Sequence, residues 1–261
     1  MAQLFPSTAN TLARMSLFGA VALPVLLIVG GSAITRSPAN TKVDVPMDQP
    51  VPFSHEHHVS ELGIDCRYCH TSVEKSATAG VPPTQTCMSC HSQIWTNSPL
   101  LEPIRQSYRN QEPIKSWDGS VGWTRVNKVP EFVYFNHSIH INRGINCNVC
   151  HGAVQKMQLT YKGNAFWMSW CLECHRNPEK ALYRDPESAK EGLTPREQVF
   201  NLYWKAQKGE EQLSSRERAI AEGTDFGHYK PSADEVKQGE QLVDKYHVKV
   251  KQLTDCWTCH R

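Results

Sequence analysis

All ten cysteines of this 261-residue chain fall into a single five-residue pattern. Cys66, Cys69 and His70 form the first Cys-x-x-Cys-His, and Cys87, Cys90 and His91 the second. Cys147, Cys150 and His151 form the third, Cys171, Cys174 and His175 the fourth, and Cys256, Cys259 and His260 the fifth. Two thiols three residues apart on one helical turn reach the two vinyl groups of a haem as thioethers, and the adjoining histidine lies beneath the iron as proximal ligand. The motifs therefore imply five covalently bound haem c groups. A zinc ribbon also uses Cys-x-x-Cys pairs, but structural zinc closes with four ligands, which strands one pair and leaves the repeated histidine unexplained. Disulfides would not repeat one spacing five times, and a redox Cys-x-x-Cys pair normally occurs once.

Composition agrees with that reading. Hydrophobic residues make up 39% of the chain and aromatics 9%, lean for a core of this size, and porphyrins would supply the missing apolar volume. The formal charge of +2 is too small to point to nucleic acid, and no basic block of the kind that tracks phosphates is present. Haem propionates would carry the net charge to about −8 with all irons ferrous and about −3 with all ferric.

Residues 1–36 read as an N-terminal segment with a transmembrane anchor. From Met15 to Thr35 there is no charge, Arg14 and Arg36 bracket the run, and at about 1.5 Å per residue it crosses a ~30 Å hydrocarbon layer. We expect the anchor to be retained; a cleaved signal peptide is the alternative, favoured by Ala33 in its small-residue setting. Either way the haem-bearing part is exported, to the periplasmic or outer face of a plasma membrane that the chain crosses once. Residues 37–52 carry four prolines and no apolar periodicity, the pattern of an extended tether.

An internal repeat follows. "FSHEHHVSELGIDCRYCH" at 53–70 aligns with "FNHSIHINRGINCNVCH" at 135–151, each followed by a second haem motif. The chain thus divides into a tetrahaem region, 53–175, with dihaem repeats at 53–91 and 135–175 and a linker at 92–134, and a charged helical arm, 176–261, bearing the fifth haem. His55 and His58, like His137 and His140, are three residues apart, so on a helical turn each pair projects from one face and can reach two different irons. His57 has no counterpart in the second repeat and reads as a solvated bystander. For the fifth haem His247 is the favoured sixth ligand, with His228, Met168 or no sixth ligand as alternatives. Helices are expected at 195–207 and 233–247.

The Phe-x-His-x-x-His element before a haem motif resembles the small multihaem cytochromes of the c3 and c7 kind. That resemblance implies a mainly α and irregular multihaem cytochrome c fold with dihaem repeats and one N-terminal transmembrane helix. It also implies His55 over the haem of His70, His58 over that of His91, His137 over that of His151 and His140 over that of His175.

Anchor, Pro-rich tether, "VPFSHEHH", "FVYFNHSIH" and the closing "LTDCWTCHR" together resemble the pentahaem cytochrome c subunit of bacterial alternative complex III. The resemblance implies an electron-transfer subunit, without a substrate site of its own, in a respiratory or photosynthetic quinol-oxidising complex. Its partners would be integral quinol-binding subunits, an iron–sulfur subunit, a monohaem cytochrome and a periplasmic electron acceptor. Two other classes are weighed against it. A multihaem reductase of the nitrite-reducing sort needs an open iron and often a CxxCK haem, whereas all five motifs here end in His. A NapC-like quinol dehydrogenase also has an anchor and four or five haems, but the repeated Phe-x-His-x-x-His here resembles the c3 and c7 pattern instead.

Overall fold

The computed structural model describes residues 6, 8–116, 118–224 and 228–260. Residues 1–5 and 7 of the N-terminal segment, 117 of the linker, 225–227 of the arm and Arg261 of the closing motif lie outside the described residues. The chain forms two units, 1–43 and 44–261.

The first unit is built on α1, Ala9–Arg36, a helix of 28 residues. At 1.5 Å per residue it is about 42 Å long, more than the ~30 Å of a hydrocarbon layer, and it is apolar enough to cross one. Leu17, Phe18, Leu26 and Ile28 are all exposed on it. Pro24 lies inside the helix, where it removes one backbone donor, an interruption that membrane helices tolerate. Ser37 ends α1 by donating both its backbone N–H and its hydroxyl to the Ile34 carbonyl.

The second unit consists of short helices joined by irregular chain. Among its described residues the strand-like pairings are two isolated bridges, Pro46–Tyr161 and Lys115–Val121. The Pro-rich segment belongs to this unit from Asp44 onward. The Asp44 amide donates to the Lys162 carbonyl at 2.9 Å and that of Met47 to Thr160 at 3.3 Å, while Val51 is buried with Leu101, Ile104 and Ile114. Proline lacks the donors a longer ladder needs, so the pairing stops at one bridge.

Each haem motif lies on a helical turn, as the thioether spacing requires. The first and fifth occupy the turns Cys66–Cys69 and Cys256–Cys259. The others lie in α2, Thr84–His91; α5, Cys147–His151; and α6, Met168–Arg176. Between α2 and α5 come α3, Glu102–Asn110, which packs on α2, and α4, His137–Asn142. The first and third motif turns are capped alike: Asp65 accepts from the Arg67 amide at 2.8 Å and Asn146 from that of Asn148 at 2.9 Å. Such caps satisfy backbone donors that a short helix leaves open.

The stretch after residue 176 carries α7, Pro195–Lys208, α8, Ser215–Ala221, and α9, Ala233–Lys245. All three start at capping boxes, Thr194 with Glu197, Ser214 with Glu217 and Ser232 with Glu235, so their starts are set locally. Rather than standing apart as an arm, α7 wedges between the repeats. Its Val199 and Phe200 are buried with Val73, just after the first motif, and Ile141, just before the third. Burying these side chains contributes about 1.5–3 kcal/mol each. One cation of α7 is also absorbed within the fold. Lys205 Nζ lies 2.6 Å from Asp185 Oδ2 and 3.0 Å from Glu217 Oε1, both carboxylates being buried. Gly239 in α9 lies so close to the Glu179 backbone that a Cβ would collide with it.

Candidate functional site

The two Phe-x-His-x-x-His elements are superposable in their ring geometry. Phe53 stacks on His58 with centroids 4.5 Å apart and planes 24° apart, and meets His55 edge-on at 4.9 Å and 87°. Phe135 stacks on His140 at 4.6 Å and 25°, and meets His137 edge-on at 4.8 Å and 90°. One aromatic ring therefore holds one imidazole face-on and the other edge-on, aiming them at different places. The backbone differs, since Glu56–Glu61 is a π-helical turn whereas His137–Asn142 is α-helical. The first repeat has one more residue between its phenylalanine and first cysteine, and the wider π turn absorbs it.

Each element is held by the opposite repeat. The Glu56 amide donates to the Met157 carbonyl at 3.1 Å and the equivalent Ser138 amide to Ser76 at 3.2 Å. Ser60 Oγ donates to the Gln155 carbonyl at 2.6 Å and the equivalent Asn142 Nδ2 to Glu74 at 3.0 Å. Residues 155 and 157 follow the third motif, while 74 and 76 follow the first, so the exchange is mutual.

Opposed imidazoles result. His137 faces His151 with centroids 6.2 Å apart and planes 7° apart, and His140 faces His175 at 6.3 Å and 18°. His58 faces His91 at 6.2 Å and 66°. An iron bound to two imidazole nitrogens at about 2.0 Å each, with ring centres roughly 1.1 Å behind them, sets centroids roughly 6.2 Å apart. The residues therefore fit a flat, hexacoordinate metal centre inserted between the rings. Among the described residues no three Cys, His, Asp or Glu side chains converge on one point as a tetrahedral zinc would need.

His55 and His70 are close enough to interact electrostatically, with His151 also in range. Burial first, then these neighbouring rings, lowers the His55 imidazole to about 4, and burial followed by His137 and His70 lowers His151 to about 4. Both remain neutral near pH 7, the form that ligates a metal.

The second ring nitrogens are mostly spoken for. Nδ1 contacts a backbone carbonyl in His58 (Ser54, 2.8 Å), His70 (Gly80, 2.7 Å), His137 (Ala77, 2.7 Å) and His140 (Asn136, 2.8 Å). The same holds for His91 (Ile94, 3.2 Å), His175 (Leu253, 3.1 Å) and His260 (Phe132, 3.2 Å). In His55 it faces Thr160 Oγ1 at 3.1 Å. Such contacts fix the tautomer and leave Nε2 for the metal. His57 differs: it is exposed and bonds Glu61 at 2.7 Å. His247 is exposed, in a left-handed conformation (φ 52°) just beyond α9, and His228 is exposed. Met168 is exposed on α6, one turn ahead of Cys171. The ring neighbour of His260 is Phe132, at 5.7 Å.

Adjacent motifs touch in a definite order. Tyr68 bonds Ser89 at 2.8 Å, joining the first motif to the second. Cys66 and Cys147 pack on one apolar cluster, joining the first to the third. Half-buried Cys150 lies within electrostatic range of Cys174, joining the third to the fourth. Cys171 is in turn near Cys259, and α6 meets the chain around Leu253, joining the fourth to the fifth.

The family model for cytochrome c7 and related cytochrome c matches residues 133–196, which take in the second repeat. The multiheme cytochrome c subunit of a menaquinone reductase from Nitratidesulfovibrio vulgaris is 30% identical over 177 residues, covering 60% of this chain and 79% of that relative. This chain belongs to the multihaem cytochromes c. Covalently bound haem c is accordingly the cytochrome's cofactor. Sequence reasoning named these histidines but missed what aims them. Phe53 and Phe135, at the same offset in both repeats, were the available signal; the carbonyls that hold Nδ1 leave none.

Proposed function

We propose that this cytochrome is a membrane-anchored pentahaem electron relay within a quinol-linked complex. The motif order second, first, third, fourth, fifth carries the reading, since it describes one unbranched string with two ends. Bound haem iron would supply one-electron chemistry by alternating between ferric and ferrous. The protein supplies thioether anchors, neutral imidazoles on both faces and enclosure. In this reading His70 pairs with His55, His91 with His58, His151 with His137 and His175 with His140, while the iron of His260 takes His247, His228, Met168 or no second ligand. Filling the first four irons on both faces leaves those four no open position for a substrate, which favours a relay over a reductase.

The relative is named as part of a menaquinone reductase, and the anchor, tether and closing motif resemble the pentahaem subunit of alternative complex III. We place the cytochrome in a quinol-oxidising assembly of that kind, with haems on the periplasmic side, passing electrons to a cytochrome c or similar acceptor. A string of haems is directionless, so the partner subunits set the sense of flow.

The test is to mix the purified, haem-loaded chain with a quinol, with and without the quinol-binding and iron–sulfur subunits. A relay stays oxidised until the partners are added. Reduction by quinol alone would sink the relay reading in favour of a NapC-like quinol dehydrogenase.

A further inference from the structure

Among the histidines of the five motifs, His151 stands apart at its second ring nitrogen. Its Nδ1 is sealed from solvent and has no hydrogen-bond partner. The opposed His137 donates its own Nδ1 to the Ala77 carbonyl at 2.7 Å, so the asymmetry lies across one metal position. The environment explains the missing acceptor. Gly152 turns the chain away at φ 75°, Gly163 packs against the His151 carbonyl, and Phe166 stands edge-on to the ring at 6.1 Å.

An Nδ1–H donated to a carbonyl makes an imidazole a stronger electron donor, which stabilises ferric over ferrous iron. Without it, ferric iron loses that support. Burial acts in the same sense, because the ferric haem carries one more positive charge than the ferrous and a dry site disfavours it. The third motif is also the middle of the string, packing with the first on one cluster through Cys66 and Cys147 and lying within electrostatic range of the fourth through Cys150 and Cys174.

We infer that the haem held by His151 and His137 is the easiest to reduce of the haems with paired histidines, so that the string collects an electron at its centre. In this role His151 is a ligand that also tunes the iron it holds. The inference rests on the ligand pairing proposed above.

A potentiometric titration of the haem-loaded full chain, followed by the low-spin ferric signals in electron paramagnetic resonance, resolves the components by order of reduction. His137→Ala opens one iron and removes its low-spin signal. The signal lost should be the paired-histidine component that is reduced first; loss of a later component overturns the inference. If no low-spin signal is lost, the ligand pairing itself fails and the inference with it. Should His137→Ala not accumulate, His55→Ala, His58→Ala and His140→Ala are titrated in a Cys256→Ser, Cys259→Ser background lacking the fifth haem. A first-reduced component that survives in all three supports the inference, and one that vanishes in any of them overturns it.

Discussion

The Tyr203 hydroxyl lies 2.9 Å from the side-chain oxygen of fully buried Asn148. It sits at the same distance from the Asn146 oxygen that caps the third motif turn. A residue of α7 thus ties the C-terminal segment to the floor of a haem motif. Tyr203→Phe strands the Asn148 oxygen, and denaturant unfolding should show a loss of about 1–3 kcal/mol with all haems still attached.

Lys205 serves two buried carboxylates at once. Lys205→Met leaves Asp185 and Glu217 facing each other without a cation, at a cost of about 3–5 kcal/mol. The double variant Lys205→Met, Asp185→Asn should recover part of that loss in the same measurement.

Burial alone would raise the Asp185 carboxyl, but the hydrogen bonds from Lys205 and Ser188 hold it below the usual carboxylate range. A depressed folded-state value means that the unfolded chain binds the proton first as pH falls. The contribution is complete above about pH 4 and is lost as pH drops through the depressed value. Unfolding free energies measured from pH 5 down to pH 2 should fall more steeply for the parent than for Asp185→Asn.

The rings of His58 and His91 cross at 66°, whereas the other two opposed pairs are within 18° of parallel. Crossed axial imidazoles give a strongly axial low-spin ferric signal and parallel ones a rhombic signal. His58→Ala should remove an axial component and raise a high-spin one. His57→Ala should leave the spectrum unchanged and cost no more than an exposed ion pair, about 0–1 kcal/mol.

Gly239 touches the Glu179 backbone. Gly239→Ala should push α9 off the turn Pro178–Ala181 and destabilise by about 1–3 kcal/mol. Hydrogen exchange should report the loosening in α9 before α7.

What the sequence carried was chemistry at fixed spacing. Cys66, Cys69 and His70 had to share a turn, and His55 and His58 had to share a face, because covalent and helical geometry leave little freedom. Capping boxes such as Thr194 with Glu197 marked helix starts in the same local way. The wedge made by α7 was hidden, since its Val199 and Phe200 stand among charged residues whose partners, Asp185 and Glu217, come from elsewhere in the chain. The unpartnered Nδ1 of His151 was hidden too, for a missing backbone acceptor leaves no letter in a sequence.

The mutual grip of the repeats has a consequence for how the molecule matures. Each repeat lends its histidine turn to the segment behind the other's first haem motif, the contact pattern of a symmetric dimer joined into one chain. A chain cut to one repeat would lack half of every such contact and would find it only in a second copy of itself. On the ligand pairing proposed above, the histidine turns are held in place only when both repeats are present, so the haems of the two repeats should acquire their final spectra together.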